Sequence, residues 1–147
     1  MTSRLSSVAA DLAEQPETQQ LTPLRRAAAG AVHLAVAHTG LAAPPLDAAL
    51  AALREGRFGD SADRSAALRL ADELDEIAWD LQERSEAGTG SQDAYLAAFG
   101  RARAAAAVGF ALDADALTAA LEALYEAQAA VADLGAIRAA VGSALAE

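Results

Sequence analysis

Apolar positions recur along this chain at alternating spacings of three and four, a pattern that predicts helices and little else. Leu5, Val8 and Leu12 mark a short amphipathic helix over residues 3–15, stopped by Gln15-Pro16-Glu17 and followed by a polar linker. Thr22 then stands as an N-cap with Pro23 at the first helical position. Leu24, Ala27, Ala31, Leu34, His38 and Leu41 follow on one face, while Val32 and Val36 lie on the other. This helix is apolar nearly all round and is expected at the centre of the fold. Gly40 ends it, and Ala43-Pro44-Pro45 reads as a turn.

The next helix runs from about Leu46 to Arg54 through Leu46, Leu50 and Leu53, and Gly56 to Gly59 form a connection. Asp60 or Ser61 caps a long helix reaching about Arg84, with a seam of Ala67, Leu70, Leu74, Ile77 and Leu81. After the loop Gly88-Thr89-Gly90, Ser91 caps a helix to about Leu112 with Tyr95, Phe99, Ala102 and Ala106 in one stripe. The run Ala104 to Ala107 before Gly109 gives that helix a small-residue surface suited to close contact. Asp113 or Asp115 starts the last stretch, with Leu117, Leu121, Leu124 and Val131 as its seam. Leu134, Ile137, Val141 and Leu145 keep it helical, and Asp133 to Gly135 is either a kink or a break. No repeat is present, and short loops between long helices favour antiparallel neighbours. The expectation is an all-α, single-domain bundle of about five to seven mostly antiparallel helices over residues 21–147. Residues 1–20 form the short N-terminal helix and linker, expected to be partly mobile.

Composition sharpens this. The 147 residues include 44 alanines and 20 leucines but only 8 valines and isoleucines together, so helix formers abound and strand formers are scarce. Alanine offers little area to bury, so the helices must approach closely. Cysteine is absent, which excludes thiol chemistry and thiolate metal sites and leans toward a cytoplasmic setting. Every basic residue is arginine, a composition typical of a high-GC bacterial genome. The net charge of −10 argues against nucleic acid and anionic membranes as partners. Residues 27–46 lack Asp, Glu, Lys and Arg over transmembrane length, but alanine, glycine, two histidines and two prolines make them a buried helix instead.

Candidate chemistry is sparse. His33 and His38 project about 140° apart on their helix, so one ion is not easily held by both. His38 falls on the apolar seam and reads as a core histidine. Arg26 and His33 share a face, and the pair resembles the arginine–histidine element of helical ribonucleases, with six residues between them. That resemblance implies His33 as proton carrier and Arg26 as phosphate stabiliser, in a ribonuclease or toxin–antitoxin element. His38-Thr39-Gly40 resembles phosphotransfer histidines of four-helix modules, but without their lysine. Asp72, Glu73, Asp75, Glu76, Asp80 and Glu83 crowd one helix in the pattern of a solvated, salt-bridged face. No metal site and no cofactor is expected. Arg101 and Arg103, with Arg54 and Arg57, are candidates to pair with those carboxylates.

Trp79 lies on the acidic side near Leu68, either packed under another helix or exposed as an anchor for a partner. The leading expectation is therefore a non-enzymatic bundle that binds protein and self-associates, by default as a homodimer, with Trp79, Leu68, Tyr95 and Phe99 in the contact surface. The alternative is a small-molecule-binding bundle, or an enzyme, with an inter-helix pocket near His33 in which Arg26, His38, Tyr95 or Tyr125 supply polar groups.

Overall fold

A computed structural model describes residues 22–146 as six α-helices with no strand among the described residues. They are α1 (Pro23–Thr39), α2 (Pro44–Glu55), α3 (Ala62–Glu86), α4 (Gln92–Ala111), α5 (Ala116–Val131) and α6 (Leu134–Ala146). The amphipathic helix expected over residues 3–15 lies outside the described residues. No helix among those described is long and apolar enough to cross a membrane. The uncharged run over residues 27–46 is divided instead, by Gly40 in the left-handed conformation, between α1 and α2.

Capping residues set the boundaries. The Thr22, Ser61, Ser91 and Asp115 side chains each accept a hydrogen bond from a backbone N–H in the first turn of their helix. Pro44 and Pro45, expected in a turn, form the first turn of α2, where a missing N–H costs nothing. Between α5 and α6 the chain breaks rather than kinks. Ala132 takes a left-handed conformation at φ 57°, and the Asp133 carboxylate accepts from Ala136 N.

The centre of the bundle is α4, not α1. Ten residues of α4 are buried, including Ala104 to Gly109 without a gap, whereas α1 leaves His33, Ala37 and His38 exposed. Small residues explain this placement, because only a helix without bulk can be surrounded at close range. A β-carbon added to Gly109 would stand 2.5 Å from Leu68 Cδ2 on α3, and one added to Gly100 would meet Ala130 O of α5 at 3.4 Å. Both α3 and α5 run antiparallel to α4. Asp75 pairs with Arg103 while Leu68 sits over Gly109, and Arg103 pairs with Glu126 while Gly100 meets Ala130. On the remaining side α1 crosses α4, α5 and α6, meeting α6 closely where Gly30 faces Ala140 and Ala144. α2 covers α3 and α4.

Two expected seams are buried only in part: Ala67, Leu70 and Leu74 on α3 and Leu124 and Val131 on α5 meet the core, but the rest of each seam does not. On α3 the buried residues are Ala67, Ala71 and Ala78, the leucines flank them, and Ile77 is 51% exposed. On α5 the alanines at 119, 120, 123 and 127 face inward, leaving Leu117 and Leu121 outside. Both corrections have one cause. Where an alanine stripe and a leucine stripe compete for a neighbouring helix, the alanine stripe permits the closer approach and more contacts per unit length.

Candidate functional site

α5 carries apolar residues around most of its circumference and buries only part of them. Its outer arc shows Leu117 at 50%, Leu121 at 60% and Tyr125 at 70% exposure. The break at Ala132 turns the chain so that α6 lies alongside, adding Leu134 and Leu145 at 46% and 44%. Between the two helices runs a groove of about 540 Å³ lined by Leu124, Leu134, Ile137, Val141 and Leu145, with Tyr125, Gln128 and Arg138 as its polar members. A second recess of about 380 Å³ lies beside Tyr125 and Ala129, so Tyr125 forms a ridge with a hollow on either side. Arg138 is the one charged residue of α6, and Glu122 the one charged residue on the exposed arc of α5. In a chain of net charge −10 this face is nearly neutral, because the acids are concentrated on α3. Contiguous exposed apolar surface of this kind marks interaction sites.

Trp79 is the second exposed anchor, at 63%. It sits on the stripe of α3 that holds Leu68, Asp72 and Asp75, and the antiparallel register brings it level with Phe99 on α4. Tyr95 and Phe99 form a tilted pair with ring centroids 6.1 Å apart, both half-buried. Leu68 is engaged within the chain, against Gly109. Asp72, Glu73, Glu76, Asp80 and Glu83 are exposed around Trp79, and Asp80 pairs with Arg84 at 3.2 Å.

A third feature is a cleft of about 250 Å³ between α1, α2 and the end of α6, lined by Arg26, Ala29, Gly30, His33, Leu53, Arg54 and Ala144. It brings Arg26 and His33 together as their spacing predicts and adds Arg54. The cleft opens beside the C-terminal turn of α6, whose carbonyl end carries partial negative charge that cations complement. His38 lies elsewhere. It is exposed near the end of α1, not on a buried seam as expected, because the helix turns its alanine and Val32 face to the core. Tyr125 and Tyr95 do not line this cleft either, so the polar groups proposed for one pocket do not gather in one.

Two arginine clusters hold these surfaces in position. Arg103 donates to Asp75 at 2.6 and 2.7 Å and to Glu126 at 2.7 Å, joining α3, α4 and α5. Burial works against its charge, but the hydrogen bonds and charges of Asp75 and Glu126 outweigh that and raise its pKa. Arg25, missed in the sequence, is 5% exposed and donates to the Ala111, Asp113 and Ala114 carbonyls at 3.2, 2.6 and 2.9 Å. Its guanidinium lies 3.7 Å from the centre of the Phe58 ring. Burial lowers its pKa, opposed by Asp113 and Asp115. A buried arginine aimed at backbone carbonyls is a structural clamp, closing the C-terminal end of α4 where no glycine does so.

Among the described residues no three His, Cys, Asp or Glu side chains are grouped so as to hold a metal ion. Compared with known proteins, the chain matches no family model, no curated protein and no solved structure.

Proposed function

We propose that the chain is a non-enzymatic helical bundle that acts by binding protein, through the apolar face of α5 and α6. The observation that carries this reading is the outward row Leu117, Leu121 and Tyr125, whose Tyr125 end borders a groove of about 540 Å³. Exposing that surface to water is unfavourable by about 25 cal/mol per Å², and nothing within the described residues covers it. Burial against a partner would strip almost no charge of its hydration. A cytoplasmic setting, where a cysteine-free acidic bundle needs no disulfide, goes with this reading. Native mass spectrometry of untagged protein, purified gently from its own host, tests it. The reading expects a protein complex that disappears with Leu121→Asp; a monomer carrying only a small-molecule mass would refute it.

A second reading rests on the cleft that gathers Arg26, His33 and Arg54, where the full charges of two arginines exceed the roughly half charge of the α6 end and can take a small anion. It expects inorganic phosphate or a nucleotide to raise the melting temperature, and His33→Ala to abolish that rise. The ribonuclease reading adds hydrolysis of RNA dependent on His33.

A further inference from the structure

We infer that the occupant of the α5–α6 face is a second copy of the same chain, placed by a two-fold axis that seats each Leu117–Leu121–Tyr125 ridge in the other copy's groove. This rests on the reading of that face as the binding surface and names its partner. The first support is shape. A two-fold contact uses the same patch on both subunits, so the patch must contain both the projection and the hollow that receives it. Here they lie side by side, with the ridge on α5 and the hollow between α5 and α6 lined by Leu124, Val141 and Leu145. The ridge is a row of residues four apart, one of the two rows by which helices interlock.

The second support is area. Five large side chains are 44–70% exposed on this face. At about 200 Å² for a fully exposed side chain of this size, those fractions leave roughly 500 Å² to bury. Half-buried Leu124 and Val141 and the small residues between them bring the face near the ~800 Å² per partner of a stable interface.

The third support is charge, and it decides between the two exposed anchors. Two copies of a chain with net charge −10 repel each other, so they can meet closely only where that charge is absent. A two-fold contact through Trp79 would set the acids at 72, 73, 76, 80 and 83 of one α3 against those of the other. The α5–α6 face instead brings Arg138 and Glu122 as its only charges, of opposite sign.

The test uses the purified full chain in sedimentation velocity over a range of concentrations, with Leu121→Asp and Trp79→Glu beside the wild type. Because the chain has no cysteine, Tyr125→Cys and Trp79→Cys are then treated with a short bifunctional maleimide. The expected result is a dimer for wild type and Trp79→Glu, a monomer with an unchanged helical spectrum for Leu121→Asp, and cross-linking at Tyr125→Cys alone. A dimer that survives Leu121→Asp, or cross-links only at Trp79→Cys, overturns both the two-fold arrangement and the choice of face. A purified wild type that stays monomeric overturns self-pairing alone, provided a Leu121-dependent complex with another protein is still recovered from the host. If Leu121→Asp unfolds, Tyr125→Arg, at the most exposed position, takes its place.

Discussion

Replacing Arg25 with methionine removes the clamp between the start of α1 and the turn from α4 to α5. The side chain is 5% exposed, and its three hydrogen bonds run to the carbonyls of Ala111, Asp113 and Ala114. Two of the three are only partly buried, so water regains those acceptors, and about 1 kcal/mol of net loss per bond is appropriate. The stack over Phe58 at 3.7 Å adds about 1 kcal/mol. Against these stands the relief of no longer burying a guanidinium, roughly 1–2 kcal/mol where the charge keeps strong acceptors. The net expectation is a loss of about 2–3 kcal/mol, which for a domain of this size lowers Tm by roughly 10 °C. Lysine should not rescue it, since an ammonium cannot match the planar fork or stack on Phe58. Urea and thermal melts followed by circular dichroism measure this, with Arg57→Ala as the control. Arg57 bonds Glu55 and Asp63 but is itself exposed, and its removal should change little. Should Arg25→Met melt within a degree or two of Arg57→Ala, Arg25 is not the clamp described.

Three further outcomes follow from the packing and charges. Gly109→Ala should cost about 1–2 kcal/mol in the wild type, because the new methyl meets Leu68 Cδ2 at 2.5 Å. In a Leu68→Ala background the same change should stabilise by about 0.5–1 kcal/mol through helix propensity, so urea melts of the two series should give opposite signs. Arg103→Met leaves Asp75 and Glu126 facing each other and should cost about 2–4 kcal/mol, while adding Glu126→Leu and Asp75→Leu should recover most of it in the same melts. Asp115 has its pKa lowered by hydrogen bonds from Thr118, so its contribution is complete above the unfolded value of about 4 and fades as pH falls through the lower folded value. An acid titration of stability should therefore be shallower for Asp115→Asn; identical acid limbs would refute that role.

Helix existence and most boundaries were legible because they depend on local chemistry. Thr22 and Ser91 cap as expected, and of the paired candidates Asp60 or Ser61 and Asp113 or Asp115 it is Ser61 and Asp115 that cap. The choice of buried face was legible only in part, because α3, α5 and α1 each offer more than one apolar stripe and periodicity cannot rank them. Close approach ranks them, and it favours Ala119, Ala123 and Ala127 over Leu117 and Leu121. The signal for the exposed face was nonetheless present: residues 116–146 hold only Glu122, Glu126, Asp133 and Arg138 as charges, too few to solvate two outer helices. Arg25 was hidden because its partners are backbone carbonyls far along the chain, which no spacing rule encodes. Arg26 and His33 do share a cleft as their spacing implied, whereas Tyr95, Tyr125 and His38 lie apart from it.

Residue-resolved hydroxyl-radical footprinting, read by mass spectrometry at concentrations below and above assembly, addresses the binding face most directly. Tyr125 and Trp79 start from similar exposure, 70% and 63%, so each serves as the other's reference. Tyr125 and Leu121 should become protected on assembly while Trp79 stays reactive. Protection of Trp79 with Tyr125 still open would contradict this and move the interface to the acidic helix.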